Sequence, residues 1–123
     1  MGKVLVIEDD KFLASAYRAK LTKSGFEVQL AGDGEEGIQM LGSFTPDIIL
    51  LDLVMPRKDG FATLPEIRKI LKDVPVIVTS NLGQKEDLDK AMALGATDYL
   101  IKSDLSMVAL INKINDTIKP SSS

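Results

Sequence analysis

The segment PDIILLDLVMPRKDG, residues 46–60, decides the fold of this chain. Its aliphatic run from Ile48 to Leu51 lies between turn signals, which is typical of a strand buried on both faces of a parallel sheet. The run ends at Asp52, and Pro56 cannot continue a β-ladder because proline has no N–H donor. The pattern therefore predicts a carboxylate at the tip of a buried strand, where open α/β sheets place their chemistry.

Similar aliphatic runs recur on both sides of this segment, separated by apolar residues at helical spacing. The predicted strands are residues 3–7, 26–31, 48–52, 75–79 and 98–101. Strand and helix alternate five times, which predicts an α/β fold with right-handed crossovers. We expect a doubly wound, flavodoxin-like (βα)5 domain, with a five-stranded parallel sheet in the order 2-1-3-4-5 and helices on both faces.

The first two helices follow turn signals in the chain. The first helix has apolar residues at helical spacing and ends at Gly25, a residue favoured at helix C-termini. Its apolar residues are Phe12, Leu13, Ala16, Tyr17 and Leu21. A short second helix begins after the turn Asp33-Gly34 and buries Ile38 and Leu41.

The third helix contains Pro65, and a proline inside a helix costs ~3 kcal/mol. Because Thr63 and Glu66 have the spacing of a capping box, the regular helix is predicted to begin, or to be kinked, near Leu64 and to run to about Leu71.

The last two helices are predicted at residues 84–94 and after residue 102. Gly95 ends the first of them. Ser103 or Asp104 is expected to cap the last helix, in which Val108, Ile111, Ile114 and Ile118 face inward.

The length, charge and composition of the chain limit the classes of function that it can have. A chain of 123 residues is long enough for one domain, expected at residues 1–119, with a disordered tail at 120–123. The net charge of −3 argues against a nucleic-acid-binding face. The chain has no cysteine or histidine, which excludes disulfides, zinc sites built on these residues and a Ser-His-Asp triad. No apolar run approaches a membrane span of ~20 residues, so a cytoplasmic location without membrane contact is expected.

Acidic residues end two strands that this order places side by side. Glu8, Asp9 and Asp10 follow the first strand, and Asp52 ends the third. Two unit charges 4 Å apart interact by ~4 kcal/mol at an effective dielectric of 20, so protons, a lysine or a cation must offset their repulsion. An oxygen-only site with few protein ligands suits Mg²⁺, which keeps several of its waters.

The fourth and fifth strands end at Thr79 and Lys102, beside the same crevice. A carboxylate nucleophile, a divalent cation, an ammonium and a hydroxyl are the parts needed to transfer a phosphoryl group to Asp52. Each residue also has a purely structural interpretation. The acids after the first strand can cap the first helix, and we expect at least one of them, Asp10 first, to do only that. Thr79 can end a strand, and Lys102 can be a surface lysine.

Four segments together resemble the receiver domain of two-component response regulators, a family that includes the chemotaxis regulator. They are VLVIEDD (4–10), DIILLDLVMPRKDG (47–60), PVIVTS (75–80) and GATDYLIK (95–102). The resemblance extends from about Lys3 to Lys119. It implies a phosphorylation-dependent signalling switch that accepts a phosphoryl group on Asp52 from a histidine kinase or phosphotransfer protein. The domain would then bind a downstream protein target, or act on an output domain missing from this sequence.

The resemblance also implies roles for individual residues. Asp9 would bind Mg²⁺ directly, Glu8 would act beside it through a water, and the backbone carbonyl of Val54 would be another metal ligand along with Asp52. Thr79 would bond the phosphoryl group and Lys102 would pair with it. Tyr99 matches the aromatic switch, which turns inward when Thr79 moves and so changes the surface of helix 4, strand 5 and helix 5. Only self-phosphorylation and self-dephosphorylation are expected, in a monomer or a phosphorylation-dependent dimer.

One position departs from the family pattern. The family usually has a proline after the conserved lysine, often with a cis bond, whereas Ser103 follows Lys102 here. A cis bond before serine costs ~2.5–4 kcal/mol, so a trans bond is predicted unless the site enforces cis.

Two other functions remain open from the sequence. A haloacid-dehalogenase-like phosphatase also combines an Asp nucleophile with Mg²⁺, Thr and Lys, but it needs Asp-x-Asp after its first strand, where this chain has Glu8-Asp9-Asp10. A receiver fold that serves as a scaffold and is never phosphorylated is the second alternative.

Overall fold

The computed structural model describes residues 2–118, so the tail predicted at residues 120–123 lies outside the described residues. Strands and helices alternate along the chain as predicted. The strands are β1 (Lys3–Ile7), β2 (Glu27–Ala31), β3 (Ile48–Asp52), β4 (Val76–Ser80) and β5 (Asp98–Ile101). The helices are α1 (Lys11–Lys23), α2 (Gly34–Met40), α3 (Gly60–Ile70), α4 (Lys85–Ala93) and α5 (Met107–Ile118), with a 3₁₀ turn at Lys102–Asp104.

The five strands form one parallel sheet in the order β2-β1-β3-β4-β5, which confirms the predicted fold and strand order. Because successive side chains of a strand point to opposite faces, each central strand contributes to two cores. In β1, Leu5 and Ile7 pack in the core beneath α3 and α4, whereas Val4 and Val6 pack in the core beneath α1 and α5. This two-sided burial explains the continuous aliphatic runs.

The register of the sheet brings the carboxyl ends of the strands together. Ile7 of β1 pairs with Leu51 of β3, so the residues that follow β1 lie beside Asp52. Asp52 itself pairs with Thr79 of β4. Since Ser80 pairs with Ile101, the residue after β5 reaches the same edge.

Of the two alternatives predicted for α3, a start near Leu64 was wrong, and a kink near Leu64 stays a prediction. The helix begins at Gly60, and Asp59 is its N-cap, accepting a hydrogen bond from the Ala62 N–H at 2.8 Å. The Thr63 hydroxyl donates to the Asp59 carbonyl instead of capping a later helix. Pro65 therefore lies inside α3, where it removes the one hydrogen bond that its N–H would have made to the carbonyl four residues earlier.

The predicted cap of the last helix was also wrong. Ser103 and Asp104 form the 3₁₀ turn, and Ser106 caps α5 by accepting from the Ala109 N–H at 3.1 Å. The predicted inward orientation of Val108 was wrong, and Phe12, counted with the apolar residues at helical spacing in α1, does not pack in the core either. Phe12 is 91% exposed and Val108 is 69% exposed, since each lies two residues, or about 200°, before a buried position of its helix.

Candidate functional site

Three carboxylates meet at the carboxyl edge of the sheet, as predicted. Glu8 follows β1 and is held there because its N–H donates to the Ala31 carbonyl at 2.9 Å. One carboxylate oxygen from each of Glu8, Asp9 and Asp52 lies within 4.8 Å of the others. Glu8 and Asp52 are buried whereas Asp9 is exposed. The proximity predicted from the strand order is confirmed.

Lys102 reaches this acidic cluster from the 3₁₀ turn after β5. Its Nζ atom lies 2.7 Å from Glu8 Oε1 and 3.3 Å from Asp52 Oδ2. The Glu8 side chain is only 1% exposed, so this ion pair is largely shielded from solvent. Residues 2–118 contain no cis peptide bond, which confirms the trans Lys102-Ser103 bond. The serine thus leaves the lysine within reach of both acids.

Burial and charge shift the proton equilibria of this cluster. Burial raises the pKa of Glu8 to about 7; the contact with Lys102 opposes this shift and the charge of Asp52 adds to it. Burial also raises the pKa of Asp52, against the charge of Lys102. Burial alone would lower the pKa of Lys102, but the contact with Glu8 and the charge of Asp52 raise it. The lysine is therefore charged at neutral pH, and Glu8 keeps its proton to a higher pH than an exposed glutamate does.

The stability of the metal-free protein should fall as the pH rises from 5 to 7. The pKa of Glu8 is raised from 4.5 to about 7 on folding, so the folded state binds a proton in this interval that the unfolded state has lost. This stabilisation is fully present below pH 4.5 and is lost as the pH rises through 7. We expect a decrease of about 1–2 kcal/mol in the free energy of unfolding, measured by urea denaturation with a chelator present.

The control for this pH dependence is Glu8→Gln, because the glutamine side chain at position 8 does not titrate. The variant should lose most of the slope between pH 5 and 7. The chain has no histidine to titrate in that range, so the remaining slope would come chiefly from Asp52, whose pKa burial also raises. An equal slope in both proteins would show that Glu8 is not the group responsible.

The predicted switch residues lie on neighbouring strands but on opposite faces of the sheet. Thr79 is buried beside Asp52, on the face covered by α1 and α5. Tyr99 packs in the core beneath α3 and α4, and its hydroxyl donates to the Leu82 carbonyl at 2.6 Å. The aromatic ring is thus inward and tied to the loop between β4 and α4.

Asp10 and Val54 closely follow residues of the acidic cluster in the sequence, and each contacts the backbone or a side chain close to it. Asp10 caps α1, as predicted, because its Oδ1 accepts from the N–H groups of Phe12 and Leu13 at 3.0 and 3.1 Å. Val54 follows β3, and its N–H lies 3.4 Å from Asp52 Oδ1. Its side chain is exposed, so its backbone is the part that can take part in the site.

Sequence reasoning missed three residues around the site. Tyr17 of α1 is buried and lines a small cavity together with Lys102. Burial and then the charge of Glu8 raise the pKa of its hydroxyl. Asp33 and Arg57, from two different loops, form an ion pair in a cleft that Asp9 also lines. Helical spacing marked Tyr17 only as a core residue, and no local pattern links residues 33 and 57.

The donor set of the cluster fits a hard divalent cation. Its three side chains offer only carboxylate oxygens, and Asp9 is open to solvent. Hard cations such as Mg²⁺ prefer oxygen ligands and keep part of their water shell. The charge of Lys102 offsets only part of the acidic charge, so the cluster is suited to an additional cation.

Comparison with protein families decides the classification. A family profile described as the response regulator receiver domain matches residues 4–115. The chain belongs to this family. A receiver domain is a regulatory module, and these comparisons give no support to the dehalogenase-like phosphatase.

Curated relatives agree with the receiver assignment. The transcriptional regulatory protein CpxR of Klebsiella pneumoniae is 39% identical over 116 residues, which cover 93% of this chain and 49% of the relative. The probable C4-dicarboxylate response regulator DctR of Bacillus subtilis is 41% identical over 102 residues, covering 81% of this chain and 45% of the relative. The receiver domain thus spans less than half the length of these relatives.

Solved structures have the same fold over nearly the whole chain. The receiver domain of Francisella response regulator 1452 is 34% identical, with a TM-score of 0.89 over 97% of this chain and 98% of that one. A two-component response regulator from Clostridium difficile is 26% identical, with a TM-score of 0.94 over 100% of both chains.

Within residues 2–118, no helix of the receiver domain is long and apolar enough to cross a membrane.

Proposed function

We propose that this receiver domain accepts a phosphoryl group on Asp52 from a histidine kinase or a phosphotransfer protein, and signals through the surface of α4, β5 and α5. The observation that carries the proposal is the buried ion cluster. Asp52 ends β3 with Lys102 Nζ at 3.3 Å and the carboxylates of Glu8 and Asp9 beside it. A nucleophile next to a fixed positive charge and a candidate cation site has the parts required for phosphoryl transfer.

The transfer itself moves one phosphoryl group between two side chains. An Asp52 carboxylate oxygen attacks the phosphorus of the donor's phosphohistidine and forms a P–O bond. The P–N bond breaks, its electron pair stays on the imidazole, and the ring takes up a proton. Lys102 stabilises the negative charge on the phosphoryl oxygens, and the Thr79 hydroxyl donates a hydrogen bond to one of them. Self-phosphorylation from a small phosphodonor and self-dephosphorylation follow from the same chemistry.

The cation that fits the acidic cluster is Mg²⁺. Asp9, Asp52 and the Val54 carbonyl would hold it directly, and Glu8 would act through a water. When bound, Mg²⁺ neutralises charge on the carboxylates and on the phosphoryl oxygens. Glu8 and Asp52 must be deprotonated to favour it, so its binding competes with the proton held by Glu8.

The switch depends on charge added at the end of β3. Phosphorylation adds about −1.5 to −2 charges and new acceptor oxygens, which attract Thr79 and Lys102. The Tyr99 hydroxyl donates to the carbonyl of Leu82 in the loop that follows β4, so in this proposal a movement of Thr79 at the end of β4 reaches Tyr99 through that loop. Leu88 and Met92 lie one turn apart on α4 and are both exposed, which supports this helix as part of a partner surface.

The rest of the signalling chain is proposed from the relatives. CpxR is named as a transcriptional regulatory protein and is about twice as long as the match, which favours output through a further domain or a separate protein target. Residues 1–119 form the receiver domain in this proposal, without a nucleic-acid or membrane contact of its own. It acts as a monomer or as a phosphorylation-dependent dimer, in the cytoplasm.

Beryllofluoride with Mg²⁺ tests the proposal, because it forms a non-covalent analogue of an aspartyl phosphate. Amide spectra should change at Asp52, Thr79 and Tyr99 and along α4, and Mg²⁺ alone should change only the amides near the acidic cluster. The spectra of Asp52→Asn should show no change at Thr79, at Tyr99 or along α4 when the analogue is added. Unchanged spectra in the wild-type protein would contradict the switch and favour the scaffold alternative.

A further inference from the structure

The loop between β3 and α3 contains an unusually tight turn. The Lys58 N–H donates to the Pro56 carbonyl at 2.7 Å, which closes a three-residue turn around Arg57. Arg57 has a φ of +63°, and among residues 2–118 it is the one residue other than glycine with a positive φ. A side chain in this region crowds its own backbone, so the conformation persists only where other contacts hold it.

The contact that holds Arg57 is an ion pair with Asp33. Arg57 Nε donates to Asp33 Oδ2 at 2.8 Å, and Nη2 contacts the same oxygen. The Asp33 side chain is only 5% exposed, and its other oxygen caps α2 by accepting from the Glu36 N–H at 2.9 Å. The hydrogen bond from that N–H and the Arg57 guanidinium hold the pKa of Asp33 below its usual range. The acid is therefore a fixed, charged anchor.

A second contact joins the same two loops. The Gly34 N–H donates to the Lys58 carbonyl at 3.3 Å. A side chain on Gly34 would collide with Thr63 and with that carbonyl, so the loops approach as closely as their backbones allow. The tip of the β3–α3 loop is thus tied to the start of α2, next to the Asp33–Arg57 pair.

The tied loop is the one that carries the candidate metal site. It leaves β3 at Asp52, includes Val54, and is closed at its base by the Gly60 N–H, which donates to the Leu53 carbonyl at 2.9 Å. Asp9, Asp33 and Arg57 line one cleft, so the ion pair lies beside the acidic cluster. The loop is therefore fixed at both ends, and Arg57 is the strained point between them.

We propose that the Asp33–Arg57 ion pair is a latch that holds the β3–α3 loop and so positions the Val54 carbonyl for the cation. Asp33 and Arg57 are positioning residues, and neither touches the phosphoryl group. This inference rests on the proposed function, because it concerns the same Mg²⁺ site. Arg57 is 71% exposed, so its guanidinium stays hydrated and the pair stabilises the fold less than a fully buried pair would, although Asp33 itself is buried. A strained backbone kept by such a pair points to a role in geometry.

Two substitutions separate position from stability. Arg57→Gly keeps the positive φ without crowding but removes the guanidinium. Relief of the crowding opposes the loss of the counter-charge of buried Asp33, so the unfolding midpoint should change little. Asp33→Asn keeps an equally good cap for α2 but removes the charge that binds Arg57. We expect each variant to bind Mg²⁺ about fivefold more weakly, and the double variant to be no weaker than either single one, because both changes open the same latch.

Mg²⁺ affinity is measured by titration of the amide spectra, and hydrogen exchange of residues 53–60 is measured without metal. Loop amides should exchange faster in both variants. Lys85→Ala, which breaks the exposed Lys85–Asp89 pair on α4, is the matched control and should change neither quantity.

Each result has a definite reading. Wild-type affinity and wild-type exchange in both variants would overturn the latch while leaving the proposed function intact. A wild-type protein that binds no Mg²⁺ would contradict the proposed function, and the exchange rates would then decide the latch alone. Additive losses in the double variant would also overturn it.

Discussion

Replacing Asp52 with asparagine is expected to abolish phosphorylation of this receiver domain, lowering the initial rate by roughly 10³-fold or more. An amide has nearly the shape of the carboxylate but is not a nucleophile towards phosphorus. The neighbouring acids are poor substitutes. Glu8 is held by Lys102 and has a pKa raised by burial, and Asp9 is assigned to the cation. The measurement is transfer of label from a small phosphodonor in the presence of Mg²⁺.

Asp10→Asn is the matched control for this experiment. Asp10 lies at the same edge of the sheet, but its side chain only caps α1, and asparagine caps a helix equally well. This variant should be labelled at the wild-type rate. The label on the wild-type protein should be labile in base, as an acyl phosphate is. Labelling of Asp52→Asn at more than a few per cent of the wild-type rate would mean that another residue is the acceptor.

The strand ends were predictable from the sequence because burial on both faces leaves a distinct mark. Each strand of the parallel sheet is an aliphatic run that stops where the chain turns, so its end can be located to about one residue without knowing its neighbours. The fourth strand, predicted to end at Thr79, ends at Ser80. Once the order of the strands is inferred, Glu8, Asp52, Thr79 and Lys102 fall at one edge. The proximity of these residues is a consequence of topology.

Helix starts were less predictable because several residues compete to cap the same helix. Asp59 and Thr63 are both good N-caps, and the sequence does not state which one the loop presents to the helix. The tertiary contact of Gly60 with Leu53 brings Asp59 into place, so α3 begins early and accommodates Pro65. In the same way Ser106, rather than Ser103 or Asp104, caps α5 after the 3₁₀ turn.

Contacts between distant loops were not predictable at all. The Asp33–Arg57 pair joins residues 24 positions apart, and no periodicity or motif connects them. The nearness of Tyr17 to Lys102 likewise arises from the packing of α1 against the sheet. Such pairs follow from the finished fold, so local patterns show the residues but not their partners.

Removing the charge of Lys102 should have opposite effects on catalysis and on metal binding. In Lys102→Ala we expect the phosphorylation rate to fall by about 10²-fold, because a preorganised positive charge beside the phosphoryl oxygens is lost. The affinity for Mg²⁺ should rise, since Lys102 Nζ lies 2.7 Å from Glu8 and 3.3 Å from Asp52 and competes with the cation for both acids. Mg²⁺ should also raise the unfolding midpoint of the variant more than that of the wild type.

The affinity measurement belongs at pH 9, because loss of the lysine raises the pKa of Glu8 further above about 7, and protonation would otherwise hide the gain. Lys113→Ala is the matched control: it removes the same charge from an ion pair with Asp98 that lies outside the acidic cluster, and should leave both quantities unchanged. A parallel loss of rate and of Mg²⁺ affinity would mean that Lys102 acts by holding the acids in place. Opposite signs would mean that it acts as a charge on the phosphoryl group, because a residue that only supports the site cannot weaken one function and strengthen the other.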